Sequence, residues 1–157
     1  MLIVFDLDDT LYDKTGQVAE HSQWQDLEKI VPLHGVKGFL NSFRGKKILL
    51  TKETEHGLQT KKIEILGIKK FFDKVIICHS DDEKKALLKN IKQDFPNEEI
   101  WVVGDRIDTE IRFGKELGLK TIRLKHGKYK DLTPKNKYEV PDYEIASFRE
   151  LKKVLGQ

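Results

Sequence analysis

The sequence predicts an α/β protein with one parallel sheet and helices on both faces of that sheet. Short apolar runs, rich in β-branched and bulky residues, recur along the chain, and such runs are typical of strands buried on both faces. Amphipathic stretches separate them, and this alternation indicates βαβ units. The five predicted strands are LIVF at 2–5, ILL at 48–50, VIIC at 75–78, IWVV at 100–103 and TIRL at 121–124.

The helices between these strands are predicted from apolar residues spaced three or four positions apart. Glycines, or a proline as in Phe95-Pro96, end these stretches, as is common at helix C-termini. The stripes are Val36, Phe39, Leu40 and Phe43; in part Leu58, Lys62, Ile65 and Leu66; and Leu87, Leu88, Ile91 and Phe95.

Length and composition narrow the classes of protein to consider. The chain has 157 residues, which suits a single domain over 1–157, and its 38% hydrophobic residues suffice for a packed core. A net charge of +3 gives no clear signal for nucleic acid. One cysteine, Cys78, excludes an internal disulfide framework and a cysteine-based zinc site. No apolar run approaches a membrane span or a signal peptide, so we expect a soluble cytoplasmic protein, and an oligomer is possible.

The block FDLDDTLYD at 5–13 follows the first predicted strand and carries the strongest functional signal. Asp6 and Asp8 are two residues apart, so an ideal strand would point both carboxylates to the same side. Carboxylates held together repel each other, and a divalent cation or a shared proton is the usual remedy. The structural alternative is an acidic turn in which Asp8 or Asp9 caps the next segment.

Four strand ends resemble, in order, the motifs of the haloacid dehalogenase (HAD) superfamily. The first three are FDLDDT, the Thr51 that ends ILLT, and Lys84 at the start of a helix. VVGDRIDTE at 102–110 resembles the fourth, and 126–129 with PDYEIASFREL at 141–151 resembles the closing strand and helix. The resemblance implies a three-layer Rossmann-like fold. The motif ends meet only if the strand of Asp6 is central, between the strands that bear Thr51 and Asp105.

The resemblance also implies roles. Asp6 would be the nucleophile that forms an aspartyl-phosphate, and Asp8 the general acid and base. Because Asp8 is present, dehalogenation is discounted. Thr51, Lys52 and Lys84 would bind the phosphate, and the expected function is Mg²⁺-dependent hydrolysis of a phosphomonoester. A phosphotransferase using the same intermediate and a non-catalytic binding or regulatory module are the alternatives.

Two assignments stay open. Leu88, Ile91 and Phe95 follow Lys84 at inward helical spacing, so Lys84 is preferred to Lys85 as the phosphate lysine. The expected Mg²⁺ ligands are Asp6, Asp105 and the backbone carbonyl of Asp8. The second acid of the fourth motif, acting through water, is expected to be Glu110, with Asp108 as its rival.

A cap domain, which many family members insert over the site, has no obvious place in this chain. Only 40 residues separate Thr10 from Thr51, and a helix and the approach to the second strand occupy about half of them. The rest, at about 11–31, suffices for one short helix or flap. We therefore expect an open site that admits a phosphorylated substrate, which could be large.

Overall fold

The computed structural model describes residues 1–18 and 24–156, and within them a parallel sheet of six strands forms the centre of the protein. The strands are β1 (Leu2–Phe5), β2 (Lys46–Lys52), β3 (Lys74–Cys78), β4 (Ile100–Gly104), β5 (Lys120–Leu124) and β6 (Tyr143–Ile145). Their order is β3-β2-β1-β4-β5-β6, and each neighbouring pair is parallel. The predicted central position of β1, between β2 and β4, is confirmed.

The predicted number of strands was wrong, because the sheet has six strands and not five. The additional strand, β6, has three residues and pairs with β5, where Tyr143 lies opposite Ile122. Only Ile145 of β6 is buried, so the segment lacks the apolar run that marks the other strands. It lies within the segment 141–151 that resembles the family's closing strand and helix.

The two faces of the sheet each carry an apolar core, as expected for alternating side chains in a buried parallel sheet. Ile3 and Phe5 of β1 belong to one core, and Leu2 and Val4 belong to the other. The expectation of burial on both faces was wrong for β3, because β3 is an edge strand whose residues are mostly only partly buried.

Six α-helices, within the described residues, complete the layers. They are α1 (Lys14–Gln17), α2 (Val36–Ser42), α3 (Leu58–Leu66), α4 (Asp81–Asp94), α5 (Arg112–Glu116) and α6 (Phe148–Val154). Side chains of α2, α3 and α6 pack into the core of Phe5, whereas α4 and α5 pack into the core of Val4. None of the helices formed by 1–18 and 24–156 has the length and apolarity that a membrane crossing requires.

Shorter helical turns connect these elements. Four are 3₁₀ segments, Trp24–Lys29, Lys69–Phe71, Gly127–Tyr129 and Lys137–Glu139, and Ile107–Ile111 is a π-helical turn. The flap expected at about 11–31 corresponds to α1 and the first of these 3₁₀ segments. Its middle part, residues 19–23, lies outside the described residues.

Helix α4 has a well-defined beginning, which matters because Lys84 lies in its first turn. Ser80 is the N-cap, and its side chain accepts a hydrogen bond from the backbone N–H of Glu83. Asp81, Asp82 and Glu83 follow in the first turn, where carboxylates interact favourably with the helix dipole. Lys84, Leu88 and Ile91 are the buried residues of this helix, so the inward stripe predicted for Lys84 is observed.

Candidate active site

The carboxyl ends of the neighbouring strands β2, β1 and β4 lie side by side at one edge of the sheet. Asp6 directly follows β1, and its backbone N–H donates to the carbonyl of Val103 on β4 at 3.0 Å. Thr51 lies near the end of β2 and Asp105 directly follows β4, on either side of β1. This is the edge of a parallel sheet at which ligands bind in doubly wound folds.

Three buried carboxylates form the centre of this site. Asp6, Asp105 and Glu110 each offer an oxygen atom, and these atoms lie within 4.8 Å of one another. The three residues are 8%, 3% and 6% exposed, so water does little to screen their repulsion. A hard cation that prefers oxygen ligands would relieve this repulsion, and Mg²⁺ is such a cation. The donor set therefore fits Mg²⁺.

The acidities of these carboxyls reflect their burial and proximity. Burial raises the pKa of Asp6 to about 7; Lys84 opposes this rise, and Glu110 and Asp8 add to it. Burial, followed by the charges of Glu110 and Asp6, raises the pKa of Asp105 to about 9. Without a metal ion, the raised pKa values favour the protonated forms of these two acids, and a metal ion would displace such protons because carboxylates bind metals in their ionised form.

Lys84 supplies the positive charge at the centre of the cluster. Its Nζ atom lies 2.7 Å from Asp6 Oδ1 and 2.5 Å from Glu110 Oε1. Burial opposes its charge, but these two carboxylates raise the pKa of Lys84 above its ordinary value. Lys85, the rival lysine, pairs instead with Glu116 at the surface. The structure thus brings Lys84, and not Lys85, to Asp6.

The fourth motif reaches the cluster through the π-helical turn Ile107–Ile111. This turn places Glu110 inside, where Thr109 Oγ1 donates to its Oε2 atom at 2.8 Å. A Cβ atom added at Gly104 would lie 2.6 Å from Glu110 Cγ, so glycine at that position makes room for the glutamate. Asp108 instead forms a two-point pair with Arg106, at 3.0 and 2.8 Å. Glu110 therefore joins the cluster and Asp108 does not.

Asp8 lies beside this cluster, and a separate set of hydrogen-bond donors fixes its carboxylate. Its Oδ1 atom accepts hydrogen bonds from Tyr12 Oη at 2.6 Å and from Lys62 Nζ at 2.9 Å. Its Oδ2 atom accepts one from Gln59 Nε2 at 3.1 Å. Burial would raise the pKa of Asp8, but Lys62 and then Lys14 outweigh it and hold this pKa below its ordinary value. Asp8 is therefore ionised in the free protein.

The two remaining predicted residues come from β2. Thr51 is 1% exposed, and its hydroxyl oxygen accepts a hydrogen bond from Gln59 Nε2 at 2.7 Å. That bond leaves the hydroxyl proton available to donate to a ligand. Lys52 is partly exposed and pairs with Asp81 at 2.6 Å. Both residues lie near the cluster, but only Thr51 is fixed through the network of Asp8.

An open crevice of about 580 Å³ gives access to these side chains. Asp6, Asp8, Lys84, Asp105 and Glu110 line it together with Lys52 and Lys62. The lining also includes Val18, Leu27, Leu58 and Tyr129. Further basic residues that line it are Lys14, Arg106 and Lys128.

A second group of metal-ligating side chain types, Asp9 and Asp13 with His126, lies next to the crevice and takes part in hydrogen bonds between loops. Asp9 adopts a left-handed backbone with φ of 55° and accepts hydrogen bonds from the N–H and hydroxyl of Thr15. Asp13 pairs with His126 Nε2 at 2.9 Å. These contacts join the loop after β1 to the loop after β5.

The sequence assigns no role to Lys62, Gln59 or Tyr12. Lys62 falls on the inward stripe of a predicted helix, where it forms part of an incomplete apolar pattern. Lysine is rarely fully buried without a partner, and this was the available signal. Gln59 and Tyr12 carried no such signal, because their side chains are common in helices and cores.

Comparison with known proteins supports the same family. The HAD-hydrolase-like family model matches residues 83–151. Glyceraldehyde 3-phosphate phosphatase of Methanopyrus kandleri is 37% identical over 104 residues, which make up 63% of this chain and 45% of that protein. The protein of the same name from Methanocaldococcus jannaschii is 40% identical over 98 residues, 59% of this chain and 42% of that protein. The matched segment thus spans less than half of these relatives.

Solved structures share the fold over nearly the whole chain. The HAD-hydrolase YfnB from Bacillus subtilis, bound to magnesium, superposes with a TM-score of 0.74 at 16% identity, covering 99% of this chain and 98% of that one. D,D-heptose 1,7-bisphosphate phosphatase from B. bronchiseptica, complexed with magnesium and phosphate, gives 0.73 at 12% identity with the same coverage. These structures confirm the fold that the four motifs imply, while the family model and the phosphatase relatives support the resemblance itself.

Proposed function

Because the chain matches the HAD-hydrolase-like family model over residues 83–151 and shares the fold of HAD hydrolases, we propose that it is a Mg²⁺-dependent phosphatase that hydrolyses a phosphomonoester through an aspartyl-phosphate on Asp6. The observation that carries this proposal is the cluster in which Asp6, Asp105, Glu110 and Lys84 meet in the lining of the crevice. The names of the relatives, which are glyceraldehyde 3-phosphate phosphatases, support a phosphomonoester as substrate.

In the first step, a carboxylate oxygen of Asp6 attacks phosphorus while the bond from phosphorus to the leaving oxygen breaks. Asp8 donates a proton to that leaving oxygen, so an alcohol departs and the phosphoryl group stays on Asp6. Lys84 and the Thr51 hydroxyl donate to the phosphoryl oxygens and neutralise their charge. Asp6, Asp105 and the Asp8 carbonyl would hold Mg²⁺, with Glu110 acting through water, and the ion would supply further charge neutralisation.

In the second step, Asp8 acts as the base. It takes a proton from a water molecule, the water oxygen bonds to phosphorus, and the bond from phosphorus to Asp6 breaks. Inorganic phosphate leaves and the Asp6 carboxylate is restored. The ionised Asp8 of the free protein suits this step. A phosphate dianion in the crevice repels the Asp8 carboxylate and raises its pKa, which provides the protonated form for the first step.

The proposed substrate reaches an open site. The described part of 11–51 forms α1, the Trp24–Lys29 turn, α2 and the start of β2, and these short elements support the proposal of a site without a separate cap domain. We therefore propose one domain over 1–157 and a substrate that could be large, although the substrate named for the relatives is small. Comparison of glyceraldehyde 3-phosphate with phosphopeptides and nucleic-acid 5′ and 3′ phosphates discriminates these possibilities.

The test of the proposal is release of phosphate from a generic aryl phosphate. We expect turnover with Mg²⁺, none after EDTA, and recovery when Mg²⁺ is added in excess. Addition of an alcohol acceptor tests the phosphotransferase alternative, because transfer would release the phenol without an equal amount of phosphate. A folded protein without turnover on any phosphomonoester would favour the non-catalytic alternative.

The fourth motif gives a matched pair of variants. Asp105→Asn removes a negative oxygen from the cluster, whereas Asp108→Asn only breaks the pair with Arg106. We expect Asp105→Asn to raise the Mg²⁺ concentration for half-maximal activity by about 10–100-fold and Asp108→Asn to change it less than about 3-fold. A titration of activity against Mg²⁺ measures both. Equal effects would show that the wrong acid has been assigned.

Stability without Mg²⁺ should fall as pH rises. The folded-state pKa values of Asp6 and Asp105, about 7 and about 9, lie above the ordinary value of 3.8, so the folded protein binds more protons than the unfolded chain. The stability present below pH 4 is then lost as pH rises through those two values. Mg²⁺ favours the ionised carboxylates, so its stabilising effect should increase with pH.

Thermal unfolding in EDTA and in excess Mg²⁺, at roughly pH 6 and pH 9, measures this difference. We expect a larger rise of Tm with Mg²⁺ at the higher pH, where each kcal/mol corresponds to about 2–4 °C for a chain of this size. The Asp105→Asn protein is the control and should show a smaller rise. A rise that is the same at both pH values would contradict the assignment.

A further inference from the structure

The strongest unexplained feature of the site is a buried lysine on α3. Lys62 is 2% exposed, and its Nζ atom lies 2.9 Å from Asp8 Oδ1. The same Nζ atom lies 5.8 Å from the centre of the Tyr12 ring, and the hydroxyl of that tyrosine donates to the same Oδ1 atom. An ammonium group in the interior is costly unless it is paired, and its pairing here is directed at a single carboxylate oxygen.

Counting acceptor sites distinguishes the two oxygens of Asp8. Oδ1 accepts hydrogen bonds from two donors, Lys62 and Tyr12, which occupy its lone pairs. Among the described residues, Oδ2 accepts one hydrogen bond, from Gln59, and keeps capacity for a further partner. Gln59 and Lys62 lie one helical turn apart on α3, so the same face of that helix holds both oxygens.

We propose that Lys62, together with Tyr12, is a positioning residue that fixes Asp8 through Oδ1 and so makes Oδ2 the oxygen that exchanges protons with the leaving group and the water. This inference rests on the proposed function. Lys62 itself does not touch the reacting atoms in this scheme. Its effect is to hold one carboxylate in one orientation, and displacement of a reacting group by about 1 Å can cost about 10²-fold in rate.

The first measurement tests whether Lys62 and Asp8 interact, and it does not depend on activity. Urea unfolding of Lys62→Met, Asp8→Asn and the double variant gives their coupling, with excess EDTA in every sample. We expect coupling of about tenfold in the folding equilibrium constant. Additive effects would overturn the proposal, because they would mean that Lys62 and Asp8 do not interact.

The second measurement tests whether the contact between Lys62 and Asp8 assists protonation of the leaving oxygen. Single-turnover release of phenol from phenyl phosphate needs protonation of the leaving oxygen more than release of 4-nitrophenol does. We expect Lys62→Met to slow the first reaction by about 10–100-fold and the second by less than about 5-fold. Lys61→Met, on the same helix, is the matched control and should slow neither. In the Asp8→Asn protein, Lys62→Met should cause no further loss.

Equal slowing of both substrates would assign Lys62 a structural role and overturn the proposal, as would a further loss in the Asp8→Asn protein. Tyr12→Phe keeps the ring and removes only the second donor to Oδ1, so it repeats the test if Lys62→Met does not fold. We expect it to affect the two substrates in the same order. Coupling in unfolding with no turnover by the wild-type protein would instead refute the proposed function, and the positioning role with it.

Discussion

The Asp6→Asn protein should lose at least about 10⁴-fold of its turnover on aryl phosphates, because an amide is a poor nucleophile and cannot form the covalent intermediate. Asp6 is also one of the two carboxylates that Lys84 contacts, so the same change removes one ion pair from the cluster. Phosphate release under saturating Mg²⁺ measures the loss. Asp82→Asn, an exposed carboxylate in the first turn of α4, is the control and should retain activity.

The Asp8→Asn protein should fail at a different step. It retains the Asp6 carboxylate, so an aryl phosphate with a good leaving group can still phosphorylate it, but the base that activates water is missing. We expect a covalent phosphoryl group to accumulate within a single turnover. Mass spectrometry of the peptide that contains Asp6 detects this adduct. Near-normal turnover of Asp6→Asn, or an adduct on another peptide, would contradict the two-step scheme.

The second large effect concerns Lys84. Removing this ammonium group leaves Asp6, Asp105 and Glu110 buried without a cation, and loss of one partner from a buried ionic group costs about 3–5 kcal/mol. We expect Lys84→Met to destabilise the protein by this amount in EDTA, and by less in Mg²⁺, because the metal ion replaces part of the missing charge. Activity should fall by about 10²–10³-fold, since a donor to the phosphoryl group is lost.

Lys85→Met is the matched control for this variant. Lys85 is the next residue along α4, but its ammonium group pairs with Glu116 at the surface, and exposed pairs contribute about 0–1 kcal/mol. Urea unfolding in EDTA and in Mg²⁺ compares the two variants directly. A Lys84→Met protein as stable as Lys85→Met would show that the buried carboxylates do not depend on this lysine.

The parts of the site that repeat a local pattern could be predicted from the sequence. Lys84 precedes Leu88 and Ile91 at helical spacing, so the same periodicity that buries these apolar residues also turns the lysine inward. Asp6 and Asp105 follow apolar runs, and parallel strands bring their carboxyl ends to one edge. The roles of these residues remain proposals, but their proximity follows from periodicity and topology.

The other features of the site and the fold could not be predicted from a local pattern, because they depend on contacts between segments that are distant in the sequence. Lys62 is buried because Asp8, which follows β1, accepts a hydrogen bond from its ammonium group, and nothing in the sequence near residue 62 specifies that partner. The choice of Glu110 over Asp108 depends on a π-helical turn. The edge strand β6 is stabilised by its pairing with β5 and has no apolar run of its own.

The central place of β1 has a consequence for the order of events during synthesis. Leu2 pairs with Lys46 on one side and with Ile100 on the other, so a ribosome adding about 5–20 residues per second completes the second partner several seconds after the first. In that interval β1 can pair only with β2, which brings Asp6 towards Thr51 while one edge of the apolar strand stays uncovered. Nascent chains that end before β4 should therefore bind chaperones or aggregate. Chains that include β4 should do so less, because β4 covers the exposed edge of β1.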